Sequence, residues 1–303
     1  MRTFVTVALC LASGLSYAGD RIFPPIFSPD NAWNRDISRE AVDPNSDILI
    51  KSIGLQKGLH PDFGTTYNGV PNGIPYMMVS GTQAKVPVEF RYKDESDAGP
   101  YPVPMNAPIE GDPAATGDRH VLVVDVDHGM LYEMWDAHPL VDGKGWKAGS
   151  GAIFDLKSNK SRPAGWTSAD AAGLPVFPGL VRYDEVVEQK TIAHALRFTC
   201  VRSRHAYVPP ATHFASPLTD VNLPPMGMRV RLKAGYDISG FPQAAQVILI
   251  ALKRYGMFLA DNGADWFLSG APDPRWNDEE LNSLKRVKGS DFEVVKMPAP
   301  VTR

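Results

Sequence analysis

The chain has 303 residues, 44% of them hydrophobic, with 26 glycines, 27 prolines and a formal charge of −3. A mildly acidic protein is a poor general nucleic-acid binder, which needs a basic face. The length allows a full hydrophobic core without disulfide staples, and glycine and proline spread along the chain exclude an all-helical fold.

Met1–Ala18 has the pattern of a cleaved secretory signal. Arg2 supplies the charged start, Phe4–Ala12 a short apolar core, and Ser16-Tyr17-Ala18 the small-x-small cleavage rule. The apolar run is too short to span a bilayer, and no later run is long enough. The expected product is a single secreted domain over 19–303, periplasmic or extracellular, monomeric, and free of the membrane once the signal is removed. Cleavage takes Arg2, making the protein one charge more negative. It also takes Cys10, leaving Cys200 without an intramolecular partner. Cys200 lies in the apolar-alternating run LRFTCV, which predicts a buried, inert thiol.

From the mature start, Asp20–Ile37 is proline-rich yet carries Phe23, Ile26, Phe27 and Trp33, so it predicts an extended strap lying on the core. Asp43–Ile53 predicts a helix with Asp43 as cap, Pro44 in its first turn and Gly54 as its stop. Ile74–Val79 and Lys85–Tyr92 are expected strands, and Pro100–Pro113 an acidic surface loop. His120–Val126 and Met130–Ala137, joined by Asp127-His128-Gly129, form the clearest hairpin. Alternation places Glu133 and Trp135 on one face of the return strand. Trp146–Phe154 predicts a kinked strand and Ser168–Ala172 one helical turn. Strands follow at Val181–Glu185, Ile192–Arg202 and Met228–Ala234. Phe241–Tyr255 is the one long helix, entered at Pro242 and stopped at Gly256. Short strands at Met257–Ala260 and Trp266–Ser269, a helix capped by Asn277, and a strand at Phe292–Val295 complete the chain. The fold expected is α+β, mainly antiparallel β, a β-sandwich decorated with about three helices.

Long stretches form a recognisable set: NAWNRDIS, LHPDFG, GDRHVLVVD, LYEMWDA, AGWTSADAAGLPVFPGLVRYDEV, NLPPMGMRVRLKA, ALKRYGMFLADNG and SGAPDPRW. Together they resemble a widespread group of exported bacterial proteins. The resemblance covers nearly the whole mature chain and implies export and one evolutionary unit. It brings no catalytic residues with it.

Chemistry-bearing residues gather most densely in His194–Ser216. The spacing of His194, His205 and His213 matches no standard zinc signature, and GxSxG, HExxH and CxxC are absent, so no metal or cofactor is expected. A histidine suits proton transfer near neutral pH. Glycoside hydrolysis needs two carboxyl groups and aromatic surfaces for sugar rings. Glu133 and Asp261, with His194 and His213, are therefore the candidate catalytic residues. Trp135, Arg197, Tyr207, Trp266 and Arg275 are the candidate substrate contacts. Arg197, Arg229 and Arg231 could form a positive stripe across neighbouring strands. The expected function is a secreted glycoside hydrolase acting on a polysaccharide or oligosaccharide. The alternatives are a lyase acting on a uronate-containing glycan, a non-catalytic glycan-binding or envelope protein, and a metal-dependent hydrolase.

Overall fold

The computed structural model describes residues 26–111 and 116–302, so the expected signal sequence lies outside it. Three α-helices occur among these residues: α1 (Ser46–Ile53), α2 (Gln243–Arg254) and α3 (Asp278–Asn282). The strands are β1 (His60–Asp62), β2 (Thr66–Tyr67), β3 (Val70–Pro71), β4 (Tyr76–Val79), β5 (Val88–Phe90), β6 (Val121–Asp125), β7 (Met130–Trp135) and β8 (His138–Pro139). They continue as β9 (Trp146–Ala148), β10 (Ser150–Asp155), β11 (Leu196–Cys200), β12 (Arg229–Leu232), β13 (Met257–Asn262), β14 (Phe267–Ser269) and β15 (Phe292–Val294).

The fold is α+β and mainly β. A six-stranded sheet runs β1-β14-β11-β13-β12-β15, a four-stranded sheet β10-β7-β6-β4, and a three-stranded sheet β5-β9-β8. Most pairings are antiparallel; β1/β14, β11/β13, β4/β6 and β5/β9 are parallel. The four-stranded sheet is covered on both faces. Leu122, Leu131 and Phe154 join one core with Phe198, Val230, Leu259 and the α2 residues Ile248 and Leu252. Val121, Val123 and Met134 join a second core with Tyr101 and Trp146. This explains why VLVVD in β6 is buried at every position rather than at alternate ones.

Local chemistry sets the element ends. The β6–β7 turn is held by Asp125, whose carboxylate accepts from the His128 amide at 3.1 Å, and by Gly129 at φ +70°. Asn277 caps α3 by accepting from the amides of Glu279 and Glu280. Helix α1 begins at Ser46, after the expected start; Asp43 instead accepts from the Asn45 amide and fixes the preceding turn. In α2 Ile248 and Leu252 are buried, but Ile250 is 51% exposed, so its apolar surface is not wholly enclosed.

Two expected elements do not form. Val181 makes a single bridge to Gly270, and the chain then turns into a π-helical segment at Asp184–Glu188. The Arg182–Glu185 ion pair, at 2.5 Å, links residues three apart, a spacing a helical turn provides and an extended strand does not. Residues 168–172 form a turn instead of helix, because the Ser168 hydroxyl accepts from the Asp170 amide and donates to the Leu174 carbonyl. The expected strap is anchored where it is described. Phe27, Trp33 and Ile37 are buried, and Arg229 donates to the carbonyls of Ala32 and Arg35. Arg229 and Arg231 are thus committed to internal partners, Arg231 pairing with Glu293 at 2.8 Å. They do not form an open positive stripe.

Candidate functional site

One face of the six-stranded sheet carries the site, and strand register places its residues in two rows. In the first row, Asp62 on β1 is opposite Ser269 on β14. The Arg197 Nη1 on β11 donates to the Ser269 hydroxyl at 2.6 Å. In the second row, two residues along, His60 is opposite Phe267, Phe267 opposite Thr199, and Thr199 opposite Asp261 on β13. Successive residues of a strand point to opposite faces, so residues two apart share one. A register shift between Phe198 and Thr199 leaves Ala260 as an extra residue on β13. That bulge brings Asp261 opposite Thr199, on the face carrying Arg197; bulges re-aim side chains in this way.

Other segments close over this face and deliver more charge. Asp170, fully buried in its turn, accepts from Arg197 Nη2 at 2.9 Å and Nε at 3.2 Å. His120, just before β6, faces the Glu110 carboxylate with Nδ1 at 2.6 Å and the Ala169 carbonyl with Nε2 at 3.0 Å. Two acceptors at the two ring nitrogens call for a doubly protonated imidazolium. Glu133 on β7 is fully buried and accepts from the amides of Val176 at 2.9 Å and Phe177 at 2.8 Å.

The electrostatics divide these acids into two kinds. Burial, reinforced by the charge on Asp170, pushes the half-buried Asp261 up to about 7. Burial likewise pushes Glu133 up to about 7, against the pull of the Phe177 and Val176 amides. Asp62 is raised by desolvation and by Glu110, although its side chain reaches solvent. Glu110 is lowered: burial opposes its charge, but His120 outweighs burial. Burial also opposes the charge on His120, yet Glu110 beside it raises His120 to about 9. Arg197 is raised as well, because its bonds to Asp170 overcome its own desolvation.

Asp118 links the cluster to aromatic surface. It is exposed, its charge is felt by Asp261, and its Oδ1 accepts from the Trp135 indole at 3.1 Å. Trp135 stacks with Tyr92 at 6.3 Å between ring centroids, and Arg91 lies over both rings. Gly149 makes this packing possible, since a Cβ there would sit 2.2 Å from the Trp135 ring.

Glu133, Asp261 and Arg197 thus fall in one cluster centred on Asp170, with Trp135 at its edge. The remaining sequence candidates lie elsewhere. His194 is buried, with Nε2 at 3.2 Å from Glu185, which also binds Arg182. His213 meets the Ala171 carbonyl at 2.9 Å and lies 3.9 Å from Glu95. Tyr207 and Trp266 are core residues; Trp266 is stacked between Phe198 and Phe292. Arg275 is a surface residue paired with Asp273 and Glu188. Cys200 is buried, and burial raises its thiol to about 12. Asp62, Glu110, Asp118, His120 and Asp170 were not candidates from sequence. Asp62 and Asp170 lie far along the chain from Glu110, Asp118 and His120, and the acids stand in turns, loops or at a strand end, where they have ordinary turn-forming roles. Among the described residues no group of three or more His, Cys, Asp or Glu is placed to hold a metal ion. None of their helices is long and apolar enough to cross a membrane. No family model, curated protein or solved structure matches this chain.

Proposed function

We propose that the protein is an exported glycoside hydrolase acting on a polysaccharide whose cleaved unit is neutral. The observation that carries this reading is Asp261, a half-buried carboxyl held near neutral pKa, within electrostatic reach of the exposed Asp118 carboxylate. Two carboxyl groups in different environments are what glycoside hydrolysis requires. Asp261 would donate a proton to the departing glycosidic oxygen. Asp118 would serve as base or nucleophile, with the Trp135 and Tyr92 stack beside it as a surface for a sugar ring.

Glu133 has no exposed surface and cannot touch a substrate. Its role is to fix the Val176–Phe177 turn and add to the field around Asp170. A lyase fits less well. It needs a free cation to neutralise a uronate, and Arg197 is already matched to Asp170. The surrounding acids would also repel an anionic ring at that position.

The test is reducing-end release from a panel of neutral and acidic polysaccharides by the wild type, Asp261→Asn and Asp118→Asn. Release that either substitution abolishes, with folding intact, supports the reading. Release of unsaturated products, or unaltered release by both variants, refutes it.

A further inference from the structure

A second feature lies on the same sheet face, outside the acid cluster. The His60 and Phe267 rings stack with centroids 4.1 Å apart and planes at 17°. Both are half-buried, and they line a groove of about 520 Å³ with Lys57, Val201, Lys285 and Lys288. Lys57 is tied to Asp265, whereas Lys285 is close enough to disfavour protonation of His60, after burial. The groove therefore combines a flat aromatic surface with cationic side chains.

Its position relative to Asp261 follows from register. Asp261, Thr199, Phe267 and His60 form one row across β13, β11, β14 and β1. Neighbouring strands are about 4.8 Å apart, so Phe267 lies about 10 Å from Asp261 and His60 about 14 Å. Between them is Thr199, a small side chain whose hydroxyl donates to the Ala264 carbonyl at 2.7 Å. Gly263 and Ala264 close over that hydroxyl, so a ligand reaching both positions has to pass around the β13–β14 connection rather than across Thr199.

We infer that the His60–Phe267 stack, with Lys285 and Lys288, is a distal subsite for an acidic sugar unit of the glycan whose neutral unit lies at Asp261. The inference rests on the hydrolase reading for the direction of the chain and adds the substrate class. Acids crowd the proposed cleavage position and cations line the distal one. A neutral unit is favoured at the first and a carboxylated unit at the second. The stack holds the ring by its face, and the lysines attract its carboxylate.

The test uses the mature protein and a matched pair of xylo-oligosaccharides, one neutral and one bearing a glucuronate branch. Binding is measured calorimetrically for the wild type, His60→Ala, Lys285→Glu and Asp261→Asn. The acidic oligosaccharide is expected to bind more tightly than the neutral one. Lys285→Glu should remove that preference, a loss of about fivefold for an exposed charge contact, without weakening the neutral ligand. His60→Ala should weaken both, and Asp261→Asn, which alters the cleavage position and not the distal one, should leave the preference for the acidic oligosaccharide in place. Equal binding of the two ligands, no binding of either, or indifference to the His60 and Lys285 substitutions overturns the subsite. Lysine-dependent binding without hydrolysis by the wild type would refute the hydrolase reading and leave the subsite standing. Hydrolysis with no such dependence would do the reverse.

Discussion

Arg197 and Asp170 are joined by two parallel hydrogen bonds, 2.9 and 3.2 Å long, in a site where both side chains are almost wholly enclosed. Ser269 takes a third guanidinium hydrogen. The pair joins the six-stranded sheet to the turn that precedes the Glu133-bound segment, and it sets the field felt by Asp261.

Removing one partner should be far worse than removing both. Arg197→Met leaves Asp170 buried and unmatched and is expected to cost about 3–5 kcal/mol. The double variant Arg197→Met, Asp170→Leu should recover much of that loss. Urea unfolding of the three proteins measures it; a double variant no more stable than the single one would argue against an ion pair as the cause.

The hydrolase reading fixes a pH profile. Asp261 must be protonated to act as acid, and its carboxyl is held near 7. Activity should therefore fall as pH rises above about 7, roughly tenfold per pH unit. Asp261→Asn should lower kcat by about 10²–10⁴-fold and abolish that limb. A profile with the alkaline limb unchanged in the variant would assign the limb to another group.

Glu133 gives a stability profile instead. Its folded pKa, about 7, lies above the ordinary 4.5. The native state then holds the proton more tightly than the unfolded chain. This contribution is complete below about pH 4.5 and is lost as pH rises through about 7, on the order of 3 kcal/mol. Thermal unfolding should show a higher Tm at pH 5 than at pH 8; Glu133→Gln should reduce that difference, and the part left is that of Asp261, also raised to about 7. His120, raised to about 9, acts in the same direction but at higher pH, so a residual slope between pH 7 and 9 is expected in the variant.

Cys200 should be silent. It is buried, and its thiolate is disfavoured. Cys200→Ser is expected to leave any activity intact, and the native thiol should react with a water-soluble disulfide reagent only on unfolding. Loss of activity in a folded variant would assign the thiol a chemical role.

Sequence alone determined the pieces governed by neighbouring residues. The hairpin of β6 and β7 was legible because apolar strands flank an Asp-His-Gly turn; α2 was legible from its proline start and glycine stop. The Asn277 cap and the apolar setting of Cys200 were legible for the same local reason. Glu133 and Asp261 stood out as acids beside aromatic or turn residues, but their environments did not. Tertiary structure alone decided that Glu133 is sealed beneath two backbone amides while Asp261 remains half-open. It also decided that Asp170 claims Arg197 and that Val181–Glu185 leaves the extended state. The burial of Glu133 and the Arg197–Asp170 pair depend on residues dozens of positions apart, brought together by strand order, and the placement of Asp261 on one bulge at Ala260. The turn at Arg182–Glu185, by contrast, is held by an ion pair three residues apart and by His194. A carboxylate's charge state is set by its neighbours in space, and no spacing along the chain encodes them.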